Sequence, residues 1–155
     1  MIQWAEKGCD FLRLDMDCVR DILLCVEEHT GFNLRCHFVN ANTEEMQDFL
    51  GIELSIPSYQ IPLLDLYGNE KLLYHVTYCI RADLIKEGEP SWEYDIYISD
   101  LTVSGHEFLN DIRSNKLWEE VKTTAKAAGV ASLKSLISIA SNVATSYVNK
   151  FIGLG

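Results

Sequence analysis

The stretch Tyr94–Leu101 constrains the fold more than any other part of the chain. Tyr94, Ile96 and Ile98 alternate with Asp95, Tyr97 and Ser99. That two-residue period belongs to a strand with one face on a core and the other in water. Upstream, Leu84–Lys86 is also extended. Glu87-Gly88-Glu89-Pro90-Ser91 between them has turn chemistry, so the two segments form a β-hairpin. Helical patterns flank it on both sides. Asn69–Ala82 carries Leu72, Val76 and Cys79 on one stripe, with Leu73 and Ile80 beside it and Asn69 as a candidate cap. Thr102 is placed to cap a helix running to about Arg113, whose apolar side is Phe108, Leu109 and Ile112.

The rest of the chain reads more coarsely. Residues 1–14 form a short leader, with Trp4, Phe11, Leu12 and Leu14 available to tie it down. Asp15–His29 is a helix: Met16, Val19, Ile22, Leu23 and Val26 recur at helical spacing, and Asp15 and Asp17 suit its N-terminus. Asp17, Arg20, Asp21 and Glu28 lie on its other side, with Leu24 among them. Thr30–Leu66 is the least regular region. Asn42 starts a short helix there that ends at Gly51, and Pro57 and Pro62 break the remainder into extended pieces. So long a structureless loop is unusual in a small domain, so some strand or helix is expected within it. Leu117, Trp118 and Val121 lie on a helix toward Ala128. Gly129 interrupts it, and a final helix follows.

Helix, irregular segment with a strand, helix, hairpin, helix is the element order of a winged helix domain. The expected fold is therefore α+β and mostly helical. It has a winged helix-turn-helix core, an insertion after the first helix and extra C-terminal helices. The divisions are a leader at 1–14, a winged-helix-like domain at 15–113 with the insertion at 30–66, and a C-terminal helical extension at 114–155. Two local sequences support this order. His75-Val76-Thr77-Tyr78-Cys79-Ile80-Arg81-Ala82-Asp83-Leu84-Ile85 resembles the H-L-x-x-L-x-x-A-G-L-I pattern leading into a wing. Asp83 stands where the pattern has glycine, and aspartate tolerates positive φ better than most residues. Leu101-Thr102-Val103-Ser104-Gly105-His106-Glu107-Phe108-Leu109 resembles the L-T-x-x-G-x-x-x-L opening of the helix after a wing.

A broader resemblance rests on Leu14-Asp15-Met16-Asp17, on Tyr67–Ile85, on Leu101–Arg113, on Trp118 and on the Gly-then-Ser segment Gly129–Ser132. Over residues 14–29 and 67–155 the chain resembles a domain-of-unknown-function family of short bacterial proteins, many encoded in phages and prophages. Residues 1–14 and 30–66 depart from that pattern. The resemblance implies a phage-related protein in the cytoplasm of a bacterial host, and it carries over no catalytic residues.

Charge narrows the function classes. The chain has 155 residues, 13 Lys+Arg against 23 Asp+Glu, and a net charge of −10. The summed field repels phosphates. Its distribution is uneven: residues 1–66 carry net −8, residues 67–113 net −5 and residues 114–155 net +3. No secretory signal pattern and no long uncharged apolar run are present, so no membrane role is expected. The five cysteines form no C-x-x-C, which suits free thiols in a reducing compartment.

Four candidate chemistries follow. The outer face of Asn69–Ala82 is expected to show Lys71, Tyr74, His75, Tyr78 and Arg81 to a nucleic acid or a protein. The hairpin beside it carries Glu87, Glu89, Glu93 and Asp95, which disfavours DNA there. Cys25, His29, Cys36 and His37 are of zinc-ligating type, but their spacing matches no standard site, and free cysteines on a buried face act as small hydrophobes. His106 and Glu107 lack the second histidine of H-E-x-x-H, and Glu107 in a first helical turn is explained by the helix dipole. The final helix carries Leu133, Leu136, Ile137, Ala140, Ala144, Tyr147 and Phe151 on one stripe, widened by Val130, Ile139, Val143, Val148 and Ile152. That arc packs on its own domain or forms a homodimer.

The leading expectation is a non-enzymatic interaction protein, without metal or cofactor, that binds a protein partner such as a host or defence factor. The alternatives are a DNA-binding transcriptional regulator and an acidic DNA mimic.

Overall fold

A computed structural model describes residues 12–42, 55–89 and 95–153. The first helix, α1 (Met16–His29), starts where the Asp15 carboxylate accepts the Cys18 N–H at 3.1 Å, and it buries Cys18, Val19, Ile22, Leu23, Cys25 and Val26. A strand, β1 (Cys36–Val39), follows. Next come α2 (Ile61–Tyr67) and α3 (Asn69–Arg81), joined at Gly68, whose φ of +79° suits glycine. The hairpin is β2 (Ile85–Glu87) and β3 (Asp95–Leu101), and three helices close the order: α4 (Val103–Ile112), α5 (Asn115–Ala127) and α6 (Leu133–Phe151). The fold is α+β and mostly helical.

The three strands form one antiparallel sheet in the order β1-β3-β2. Cys36 stands opposite Ile98 and Val39 opposite Asp95, while Ile85 stands opposite Leu101. The hairpin read from the sequence is present. The irregular region holds a strand and a helix as expected, namely β1 and α2. Residues 43–50 of the helix expected from Asn42, and the leader residues Trp4 and Phe11, lie outside the described residues. Leu12 is exposed, and Leu14 packs against the core.

Two local readings are corrected. Pro62 does not break the chain into an extended piece. It sits in the first turn of α2, where an N–H has no helical partner to lose. Asn69 does not cap α3. Its side-chain carbonyl accepts the Ala41 N–H at 2.8 Å and its amide donates to the Asn40 side chain at 2.9 Å, so it ties α3 to the segment after β1.

One continuous buried cluster runs from Cys18 on α1 through Phe38, Leu72, Val76, Ile98, Phe108 and Leu109 to Trp118, Val121, Leu133, Leu136 and Ala140. Among the described residues, the open edge of β1 is closed by side chains. Tyr59 Oη accepts the His37 N–H and donates to the His37 carbonyl, each at 2.9 Å. The fully buried Gln60 amide accepts the Val39 N–H at 2.8 Å and donates to the Val39 carbonyl at 2.7 Å. An uncovered edge invites pairing with another chain, and these two residues occupy it.

The polar side of α1 is held by the following helices. Trp118 Nε1 and Lys122 Nζ both donate to Asp17, at 2.8 and 3.0 Å. Arg20 donates to the carbonyls of Ile112 and Arg113, at 2.9 and 2.7 Å, and to the Asn115 side chain at 3.0 Å. Arg113 grips Glu27 through two 2.7 Å bonds. Among the described residues no helix is long and apolar enough to cross a membrane.

Candidate functional site

Helix α3 and the hairpin hold the residues singled out for recognition. Lys71 reaches the Asp15 carboxylate at 3.3 Å and is only partly exposed. Tyr74 and Tyr78, one turn apart, stack with ring centroids 6.0 Å apart. Arg81 is exposed at the end of the helix.

His75 corrects the reading. It is fully buried rather than outward-facing. Its Nε2 accepts the Asp15 N–H at 2.9 Å, so Nδ1 carries the proton and donates to the Lys71 carbonyl at 2.8 Å. Burial holds its pKa below the ordinary histidine value, outweighing the neighbouring Asp15 carboxylate. His75 therefore locks the start of α1 to α3 as a neutral ring. Across the whole of α3, only Glu70 and Arg81 are exposed.

The hairpin is acidic, as its sequence indicates. Glu87, Glu89 and Asp100 are exposed, with Lys86 beside them, and Asp95 is half-buried. Glu89 pairs with Arg35 at 3.2 Å. On the sheet, His37 stacks on Tyr97 at 5.5 Å. Glu93 lies outside the described residues.

A family model described as Hypothetical protein (DUF2513) matches residues 13–131. The chain belongs to this family. The DUF2513 match takes in residues 30–66, which the sequence resemblance had left outside the pattern, and it stops before α6. No curated protein and no solved structure matches the chain.

Within the DUF2513 span, the two motifs on either side of the hairpin meet. Asp83 adopts φ of +59°, the left-handed conformation its position in the motif suggested. The Thr102 hydroxyl donates to the Asp83 carbonyl at 2.5 Å and also accepts the Gly105 N–H at 2.9 Å, capping α4. The Thr102 N–H donates to the Leu84 carbonyl at 3.0 Å. The motifs are thus the two halves of one joint between the end of α3 and the start of α4.

The other candidates have simpler roles. Tyr59 gathers His29 and His37, with ring centroids at 4.3 and 6.4 Å. Cys25 Sγ lies 3.8 Å from His29 Nδ1 and also contacts Cys36, and the hydrogen bond to Cys36 together with burial pushes the Cys25 thiol up. Among the described residues no group of three His, Cys, Asp or Glu side chains is placed to hold a metal ion. Burial pushes the Cys79 thiol up to about 12 and raises Cys18 as well, so these thiols stay protonated. His106 and Glu107 are exposed in the first turn of α4, and His106 lies 3.8 Å from Asp100.

The α6 stripe divides in two. Leu133, Leu136 and Ala140 are buried on the chain's own core, and Ile137 and Ala144 are half-buried. Beyond them, Tyr147, Val148, Phe151 and Ile152 are exposed, Phe151 at 84%. Elsewhere, an open groove of about 480 Å³ lies between α1 and α2, with Leu24, Pro62, Leu63 and Leu66 in its lining beside Asp21, Glu28, His29, Ser58 and Tyr59. Leu24, ambiguous in the sequence because it sits among charges, lies in this groove. Sequence reasoning missed the groove, since α2 is too short for a periodic signal.

Proposed function

We propose that this DUF2513 member is a non-enzymatic winged helix protein that binds a protein partner with a basic surface through its acidic hairpin. The element order α1-β1-α2-α3-β2-β3 and the sheet order β1-β3-β2 support the winged helix reading. The observation that carries the binding mode is the exposed chemistry of α3 and the hairpin. A helix that enters a DNA groove must present several donors and cations. Here α3 exposes one acid and one cation, Lys71 is paired with Asp15, and His75 is buried. The hairpin adds Glu87, Glu89 and Asp100 against Lys86 and the Arg35 that pairs with Glu89, a net acidic local field that repels phosphate and attracts lysines and arginines. The resemblance to phage- and prophage-encoded proteins supports action in the cytoplasm of a bacterial host, on a host or defence factor.

Titration of mixed-sequence duplex DNA at low salt tests this reading. No saturable binding is expected. Tight, salt-sensitive binding that Arg81→Ala abolishes would establish the DNA-binding regulator instead.

A further inference from the structure

We propose that the last two turns of α6 dock into the α1–α2 groove of a second copy of this chain. The inference is independent of the hairpin as a binding surface. Its first support is the division of α6. Ala140 is the last fully buried residue of the helix, and Val143 is the last that packs against the core. From Ala140 the helix runs on for about 16 Å to Phe151, at the ordinary helical rise. Those turns expose Tyr147, Val148, Phe151 and Ile152 together. Lys116 of α5 stands 5.3 Å from the Tyr147 ring centre, and Val148, Phe151 and Ile152 are the apolar side chains at this helix end that need a cover.

The second support is that the α1–α2 groove is complementary to them in charge. It is open, with Leu24, Pro62, Leu63 and Leu66 as its apolar lining beside His29, Ser58 and Tyr59, and Leu66 stands 68% exposed. Its lining includes Glu28 and Asp21, whose carboxylate also accepts the Tyr67 hydroxyl, and Asp65 is exposed on α2. The α6 end is the opposite. From residue 135 onward the chain's one charged side chain is Lys150, which sits among the exposed apolar residues. A monocationic apolar helix end and a groove lined by apolar side chains and carboxylates are complementary. Every molecule carries both. Reciprocal docking closes a dimer, and one-way docking builds an open chain.

Light scattering across the micromolar range tests this with the full-length protein, Phe151→Glu, Leu66→Lys and an equimolar mixture of the two variants. Both substituted side chains are exposed, and a cooperative thermal unfolding transition in each variant verifies that it folds. The expected result is an associated wild type, two monomeric variants, and a dimer on mixing. The mixture dimerises because one variant keeps an intact groove and the other an intact helix end. A wild type that stays monomeric overturns the proposal. So does a Leu66→Lys variant that still associates, since that places α6 against α6. Variants that stay monomeric when mixed also overturn it, because both residues would then belong to one patch.

Discussion

Gly105 on α4 lies directly against the carbonyl of Leu84, so that a Cβ built at Gly105 would fall 1.9 Å from the Leu84 oxygen. The atom in the way is backbone, already bonded to the Thr102 N–H, and it cannot swing aside. The glycine of the L-T-x-x-G pattern is thus a packing requirement that lets α4 seat on the turn between α3 and β2. Gly105→Ala is expected to destabilise the fold by about 3 kcal/mol or more, at the upper end of overpacking costs, read as a lowered urea midpoint. An unchanged midpoint would mean that α4 does not seat there.

Gln60 offers a second test. Its amide is the partner of both Val39 backbone groups on the sheet edge. Gln60→Ala leaves a buried N–H and a buried C=O unpaired, at a cost of about 2–4 kcal/mol. Hydrogen exchange should show the Val39 amide losing protection, while amides in α5 change little. Retained protection at Val39 would contradict the edge assignment.

Arg20 holds the turn from α4 to α5 through three acceptors, and its guanidinium lies 5.9 Å from the Trp118 ring centre. Removing a charged donor of this kind costs about 1.5–3 kcal/mol. Arg20→Met should fall in that range by urea unfolding. Arg20→Lys should recover only part, because an ammonium lacks the planar fork.

The pH dependence of stability has two windows. His75 has a lowered folded pKa, so between the ordinary value near ~6.5 and that lower value the unfolded chain binds a proton that the folded chain does not. Stability is therefore expected to fall as pH drops below about 6.5, and to level off once the folded ring also titrates. The groups facing the ring, Asp15, Lys71, Tyr74 and Tyr78, stay in place in His75→Gln, which should flatten that window. Glu27 is also lowered, by its Arg113 bonds, so its contribution is present above its unfolded value and is lost at more acidic pH as the folded carboxylate titrates. A His75→Gln variant with the wild-type slope near pH 6 would contradict the buried neutral ring.

Local features were legible in the sequence. The hairpin, the Thr102 cap and the positive φ at Asp83 each depend on residues within a few positions of one another, although the expected alternation of faces is blurred, with Asp95, Ile96, Tyr97 and Ser99 all half-buried beside the buried Ile98. Partners far apart in sequence were not. Asp17 and Arg20 look like a solvated face of α1, yet they meet residues about a hundred positions away in α5 and the turn before it. Gln60 gives no sign of its role, because its two partners sit on β1. His75 was misplaced although a signal existed. It stands three after Leu72, next to Val76 and four before Cys79, so helical spacing already put it on the apolar stripe. Its polar side chain suggested the other face.

Photo-crosslinking from the hairpin tests the central claim most directly. A crosslinker placed at Lys86 in the full-length protein would be exposed to a bacterial lysate, with Glu89→Lys and Arg81→Ala versions in parallel. The account predicts a discrete protein adduct that weakens with rising salt, disappears in the Glu89→Lys version and persists in Arg81→Ala. An adduct to nucleic acid that is lost with Arg81→Ala would contradict it, as would a protein adduct indifferent to Glu89→Lys.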